Sequence, residues 1–247
     1  METLLKKRYY LIDTLRGFSL ISMIIYHLAW DCVYIYGLDW AFYHSNGAYI
    51  WQQSICWTFI FLSGFCWHFG RNKLKNGVLV FGSGALVTAV TLIFMPKQAI
   101  IFGVLTLIGS SILLLIPLHK LLQKVSPYIG AVTSFGLFLL FRNVNDGFLG
   151  FESFNLITLP EILYKNYLTT FLGFPFESFY STDYFSLIPW FFLFVTGYFM
   201  HYIIMNCNFK NVLTYKVIPP LSFVGRHTLI IYLLHQPIIY GFLYLIL

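Results

Sequence analysis

"DTLRGFSLISMIIYHLAWD", residues 13–31, is long and apolar enough to cross a bilayer, yet it carries Asp13, Arg16, His27 and Asp31. An Asp or Arg at the centre of a membrane helix costs about 2.5–3.5 kcal/mol, so residues of this kind need a reason to be kept there. Helical spacing supplies the first part of that reason. Asp13, Arg16, Leu20, Ile24, His27, Asp31 and Tyr34 follow one another at steps of three or four residues, which puts them on one face. Such a face must turn into a helix bundle rather than toward lipid. Arg16 and His27 lie about 16 Å apart along a helix axis, so the stripe runs from one side of the membrane toward the other. Asp31 falls one turn beyond His27, where a carboxylate can hold an imidazole's tautomer and raise its basicity.

The rest of the chain fits a polytopic membrane protein. Its 247 residues are 59% hydrophobic, 21% aromatic and only 10% charged, with a mean hydropathy of +0.76; soluble domains carry about 25% charged residues. The net charge of +6 would suggest nucleic acid in a soluble protein. Here the placement of the cations matters more, and the bilayer, not nucleic acid, is the expected partner. "METLLKKRYY" has no small-residue cleavage site after a short apolar region, so the first apolar segment reads as a retained span. Cys32, Cys56, Cys66 and Cys207 form no CxxC pair and no metal-ligand spacing, so neither a disulfide nor a metal site is expected.

Taking about 20 mostly apolar residues per crossing gives seven spans, at 10–36, 48–70, 77–95, 99–117, 127–141, 185–205 and 223–247. The expected fold is an all-α helix bundle forming a single domain over 1–247. Between the fifth and sixth spans, 142–184 reads as a long extracytoplasmic segment, a lid or a re-entrant element. With the N-terminus cytoplasmic, the inner face collects Lys6, Lys7, Arg8, Arg71, Lys73, Lys75, Lys120, Lys124, Lys210, Lys216 and Arg226. The outer face receives only Lys97, Arg142 and Lys165. No internal repeat supports an inverted-repeat transporter.

"RYYLIDTLRGFSLISMIIYH" (8–27) resembles the opening of the transmembrane acyltransferase superfamily, whose acyltransferase-3 members space an Arg and a His as Arg16 and His27 are spaced here. A closer likeness is to the catalytic domain of heparan-alpha-glucosaminide N-acetyltransferase and its bacterial relatives of unknown function. Their D-x-x-RG opening matches Asp13, Arg16 and Gly17; "WTFIFLSGF" (57–65) resembles their second span and "LSFVGRHTLIIYLLHQP" (221–237) their last. The resemblance implies acyl transfer from cytoplasmic acyl-CoA, acetyl-CoA first among the donors, to an amino or hydroxyl group of an extracytoplasmic glycan. It also implies a multi-pass protein of the bacterial cell membrane. The relatives' catalytic His corresponds to His44 in "FYHSNG", and they carry Asn where this chain has His27.

Acyl transfer needs a base for the nucleophile's proton, and a neutral imidazole suits that role. His27 and His44 are both candidates, with Asp31 or Asp183 ("STDYFSLIPW") to orient either one; Asp183 and Tyr184 read equally well as helix-capping residues. Arg8, Arg16, Arg71 and Arg226, with Asp13 among them, are the candidates for holding the CoA phosphates. Tyr34, Tyr184, His235 and Gln236 are candidates for lining the acceptor site. His68, His119, His201 and His227 lie near span ends and read as interfacial. A proton-coupled transporter using His27 and Asp31 as a relay is the alternative. Polar stripes also serve subunit contacts, so a homo-oligomer remains among the expected partners.

Overall fold

The computed structural model describes residues 8–215 and 218–246, without the side chains of 208 and 209. Lys6, Lys7 and Lys216 of the charge bias, and position 247 of the last expected span, lie outside them. The elements run α1 (Tyr10–Tyr34), α2 (Asn46–Cys66), α3 (Lys73–Phe94), α4 (Val104–Leu122), α5 (Pro127–Leu140), β1 (Phe148–Phe151), β2 (Phe154–Thr158), α6 (Tyr167–Leu172), α7 (Leu187–Asn206), α8 (Pro219–Arg226) and α9 (Thr228–Ile246). Five of these, α1, α3, α4, α7 and α9, are long and apolar enough to cross a membrane. The expected second span is α2, which carries Gln52, Gln53 and Ser54; the fifth is α5, whose 14 residues reach about 21 Å.

The chain divides into two compact units, residues 1–62 with 204–247 and residues 63–203. In the first, α1 is the central helix. Its buried Leu20 and Met23 pack with Ile55 of α2, and Trp51 Nε1 donates to Ser22 Oγ at 2.7 Å. Two prolines open α8, where their missing N–H groups are harmless. That helix then crosses α1 backbone to backbone: a Cβ on Gly17 would overlap the Leu221 carbonyl, and one on Gly225 the Asp13 carbonyl. The last expected span is therefore corrected. It breaks at His227, and Arg226 ends a separate short helix.

In the second unit α3 and α4 form an antiparallel pair spaced by small residues. Gly84 faces Thr106 and Gly109 faces the Phe81 backbone. This register sets Thr106, two residues inside α4, level with the middle of α3, and α4 begins at Val104 rather than at residue 99. The apolar stretch 99–103 is irregular because it bonds instead to 181–185: Thr182 N–H donates to Ala99 O at 3.1 Å, and Phe185 N–H to Phe102 O at 2.9 Å. Within 142–184 the all-α fold also holds a small antiparallel hairpin, β1 and β2. Asn143 Nδ2 holds it, donating to Glu152 O at 2.7 Å and Asn155 Oδ1 at 2.9 Å. A capping box at Asn166 and Thr169 then starts α6.

Candidate active site

Three of the residues singled out in the sequence meet a fourth in the first unit. Asp31 is completely buried, and Gln236 Nε2 donates to both of its carboxylate oxygens, at 2.8 and 2.9 Å. Asp31 is thus held by a residue 205 positions away, not by His27. The His27 ring lies 5.0 Å from that of His235, centroid to centroid. His235 Nδ1 sits 2.5 Å from the Tyr232 carbonyl, which can only accept, so the ring proton belongs on Nδ1 and Nε2 offers a lone pair. That Nε2 is buried without a hydrogen-bond partner among the described residues, and so is Gln236 Oε1. An unsatisfied buried polar atom costs about 1–3 kcal/mol. Asp31 and Gln236 Oε1, with Nε2 of His235, the adjacent residue of α9, are acceptors whose natural complement is an O–H or N–H donor.

Beyond Asp31 the same helix ends in aromatic rings. Tyr34 is exposed and meets His44 edge-on at 6.0 Å. The buried Tyr43 packs against both Tyr34 and Tyr26, and Tyr26 meets His27 edge-on at 6.2 Å. A continuous aromatic wall therefore links the two candidate histidines. They stand about 10 Å apart along α1, if His44 is taken at the level of Tyr34.

At the other end of α1, Asp13 accepts from Arg8 Nε at 3.1 Å and faces an Arg16 terminal nitrogen at 3.6 Å. Partly exposed pairs of this kind contribute about 0–1 kcal/mol, so their weight is in placement. The Gly17–Gly225 crossing brings the end of α8 to the Asp13 backbone, with the Arg226 guanidinium over the Phe223 ring. Asp13 pairs with two guanidinium groups, which leaves an excess of positive charge at this end of α1. Arg71 lies in the second unit and is exposed.

Asp183 and Tyr184 also belong to the second unit, and there both carry structural bonds. Asp183 accepts from the Val104 backbone N–H and so caps α4, whose own N-cap residue, Gly103, has no side chain to do it. The Tyr184 hydroxyl donates to Thr170 O, tying down α6. Burial pushes the Asp183 carboxyl up to about 6 from 3.8. Between those values the folded state binds more protons than the unfolded one, so stability falls as pH rises from about 4 to about 6. Asp183→Asn, which keeps the acceptor and removes the charge, abolishes this fall in a thermal-unfolding series across pH. Asp183→Ala loses about 0.5–2 kcal/mol at neutral pH.

Three of the histidines expected near span ends come together in this unit. His68 stacks on His201 at 4.2 Å and on Tyr198 at 4.6 Å. His119 Nδ1 lies 2.8 Å from the Tyr198 hydroxyl, and His201 Nδ1 3.0 Å from Phe65 O. Their common position at one end of three spans was the signal in the sequence. Among the described residues no group of His, Cys, Asp or Glu has a geometry that holds a metal. His227 is exposed.

Spanning helices that keep a buried carboxylate and two unsatisfied acceptors define an integral membrane protein with a polar site inside its helical fold. The model of the family described as heparan-alpha-glucosaminide N-acetyltransferase, catalytic, matches residues 8–237, and the chain belongs to that family. The match runs through both units. No curated protein and no solved structure matches the chain.

Proposed function

We propose that this protein is a membrane-embedded acyltransferase that moves an acyl group, first of all acetyl, from cytoplasmic acyl-CoA to an amino or hydroxyl group of an extracytoplasmic glycan. The observation that carries this reading is the set of acceptors Asp31, His235 Nε2 and Gln236 Oε1. The incoming nucleophile of an acyl transfer is an O–H or N–H donor, the partner that the two unsatisfied acceptors, His235 Nε2 and Gln236 Oε1, call for. Family membership supplies the reaction class, acetyl transfer.

In this reading the chain makes seven crossings with a cytoplasmic N-terminus, supported by the placement of Lys and Arg. Arg8, Arg16 and Arg226 hold the CoA phosphates, with Asp13 fixing two of them. Nucleophile and thioester meet near the far end of α1. His27 or His44 takes the proton from the nucleophile, the new C–N or C–O bond forms as the C–S bond breaks, and the CoA thiolate leaves with a proton. Tyr34 and its aromatic neighbours offer a face on which a sugar ring stacks.

The test uses the purified protein in proteoliposomes, acetyl-CoA labelled in its acetyl group, and a panel of amino and hydroxy sugars. Label should move to a sugar with equimolar release of CoA thiol. Thiol release independent of the sugar, or no transfer to any acceptor of the panel, contradicts the reading. His235→Leu keeps the volume and removes the lone pair, and it should raise KM for the acceptor more than KM for acetyl-CoA.

A further inference from the structure

In the second unit, an open-sided groove of about 370 Å³ runs between α6 and the α3–α4 pair. Its lining is Phe81, Phe102, Thr106, Tyr167, Leu168 and Phe171, with the hydroxyls of Thr106 and Tyr167 the only side-chain polar groups. The size lies at the low end of ligand-binding cavities, about 300–1,000 Å³.

The depth of the groove identifies what fills it. Helices α3 and α4 are both long and apolar enough to cross a membrane. Phe81 is fixed by the Gly109 contact and lies eight residues from the start of α3 and 13 from its end, about 12 and 20 Å. A wall built from that part of α3 stands at hydrocarbon depth, and α6 stands there with it. Tyr167 and Leu168, which form the lip on α6, are 57% and 68% exposed. Water at such a lip would meet a surface that is apolar but for two hydroxyls, whereas a hydrocarbon chain would match it.

We propose that this groove seats one hydrocarbon chain of a membrane lipid, entering sideways from the bilayer past Leu168, and that α6 is a re-entrant element dipping to chain depth. The capping box at Asn166 and the Tyr184–Thr170 bond satisfy its ends internally, as a short helix at that depth requires.

Two measurements test this, and neither depends on the acyltransferase reading. In the first, the protein is reconstituted with a phospholipid carrying a photoreactive diazirine midway along one chain. Adducts should concentrate on Phe81, Phe102 and 167–171, above the level at the exposed Ile93 and Phe94 of α3. In the second, native mass spectrometry of protein extracted from nanodiscs should show one retained lipid, lost in Leu168→Trp, which fills the groove from its exposed lip. A prenyl-chain probe alongside the acyl-chain probe tells which kind of chain is held. Adducts no denser than at Ile93 and Phe94, or retention unchanged in Leu168→Trp, overturn the proposal. The wild-type adduct map decides the matter alone if the variant does not fold.

Discussion

Replacing His27 or His44 with alanine should lower acetyl transfer by about a hundred- to ten-thousand-fold, the usual worth of a positioned general base, while leaving protein abundance near normal. His44 is exposed at the end of a short turn, so its removal opens no void. His27 is only partly buried, with its ring against His235 and Tyr26, and its removal costs little packing. The two variants differ in what they leave behind. Losing the group that takes the proton should remove the acidic limb of the pH–rate profile, and added imidazole should restore part of the rate. Losing a group that only lines the path should raise KM without moving that limb. Normal turnover in both variants would sink the assignment of the site to α1.

The second large effect is structural. Gly225→Ala or Gly17→Ala forces a methyl group into a backbone carbonyl where α8 crosses α1. Overpacking of this kind costs about 1–3 kcal/mol when side chains can give way, and here only a helix shift relieves it. Thermal unfolding should drop sharply for either variant. Acyl-CoA binding should weaken as well, because the displaced helix carries Arg226. Gly82→Ala and Gly136→Ala are the controls. A Cβ at either position meets nothing within 4 Å, and alanine in a helix is favoured over glycine by about 0.5–1 kcal/mol. Equal destabilisation of all four variants would show that the crossing is not special.

Much of this was legible in the sequence where a single helix carries the signal. Three-and-four spacing put Asp13, Arg16, His27 and Asp31 on one face, and the structure finds them on α1 with Asp31 completely buried. Hydropathy located the long helices to within a few residues at most ends. It failed at 99–103, where "AIIFG" is as greasy as a span but its backbone bonds to 181–185. It failed again at His227, because hydropathy does not register a break that leaves both sides apolar. Partners distant in sequence were beyond its reach. Nothing near Asp31 announces Gln236, and Asp183 caps a helix whose start the apolar pattern had misplaced. The His68, His119 and His201 cluster was split for the same reason, each residue being read alone at the end of its own span.

Use of acyl-CoA by this membrane protein can be measured without knowledge of the acceptor. Calorimetric titration of acetyl-CoA into the protein in nanodiscs, beside Arg16→Ala, should give saturable binding that the variant loses or greatly weakens. No heat of binding from acetyl-CoA or longer acyl-CoAs, in a preparation shown to be folded by its thermal transition, would contradict the account and return His27 and Asp31 to the reading of a proton relay.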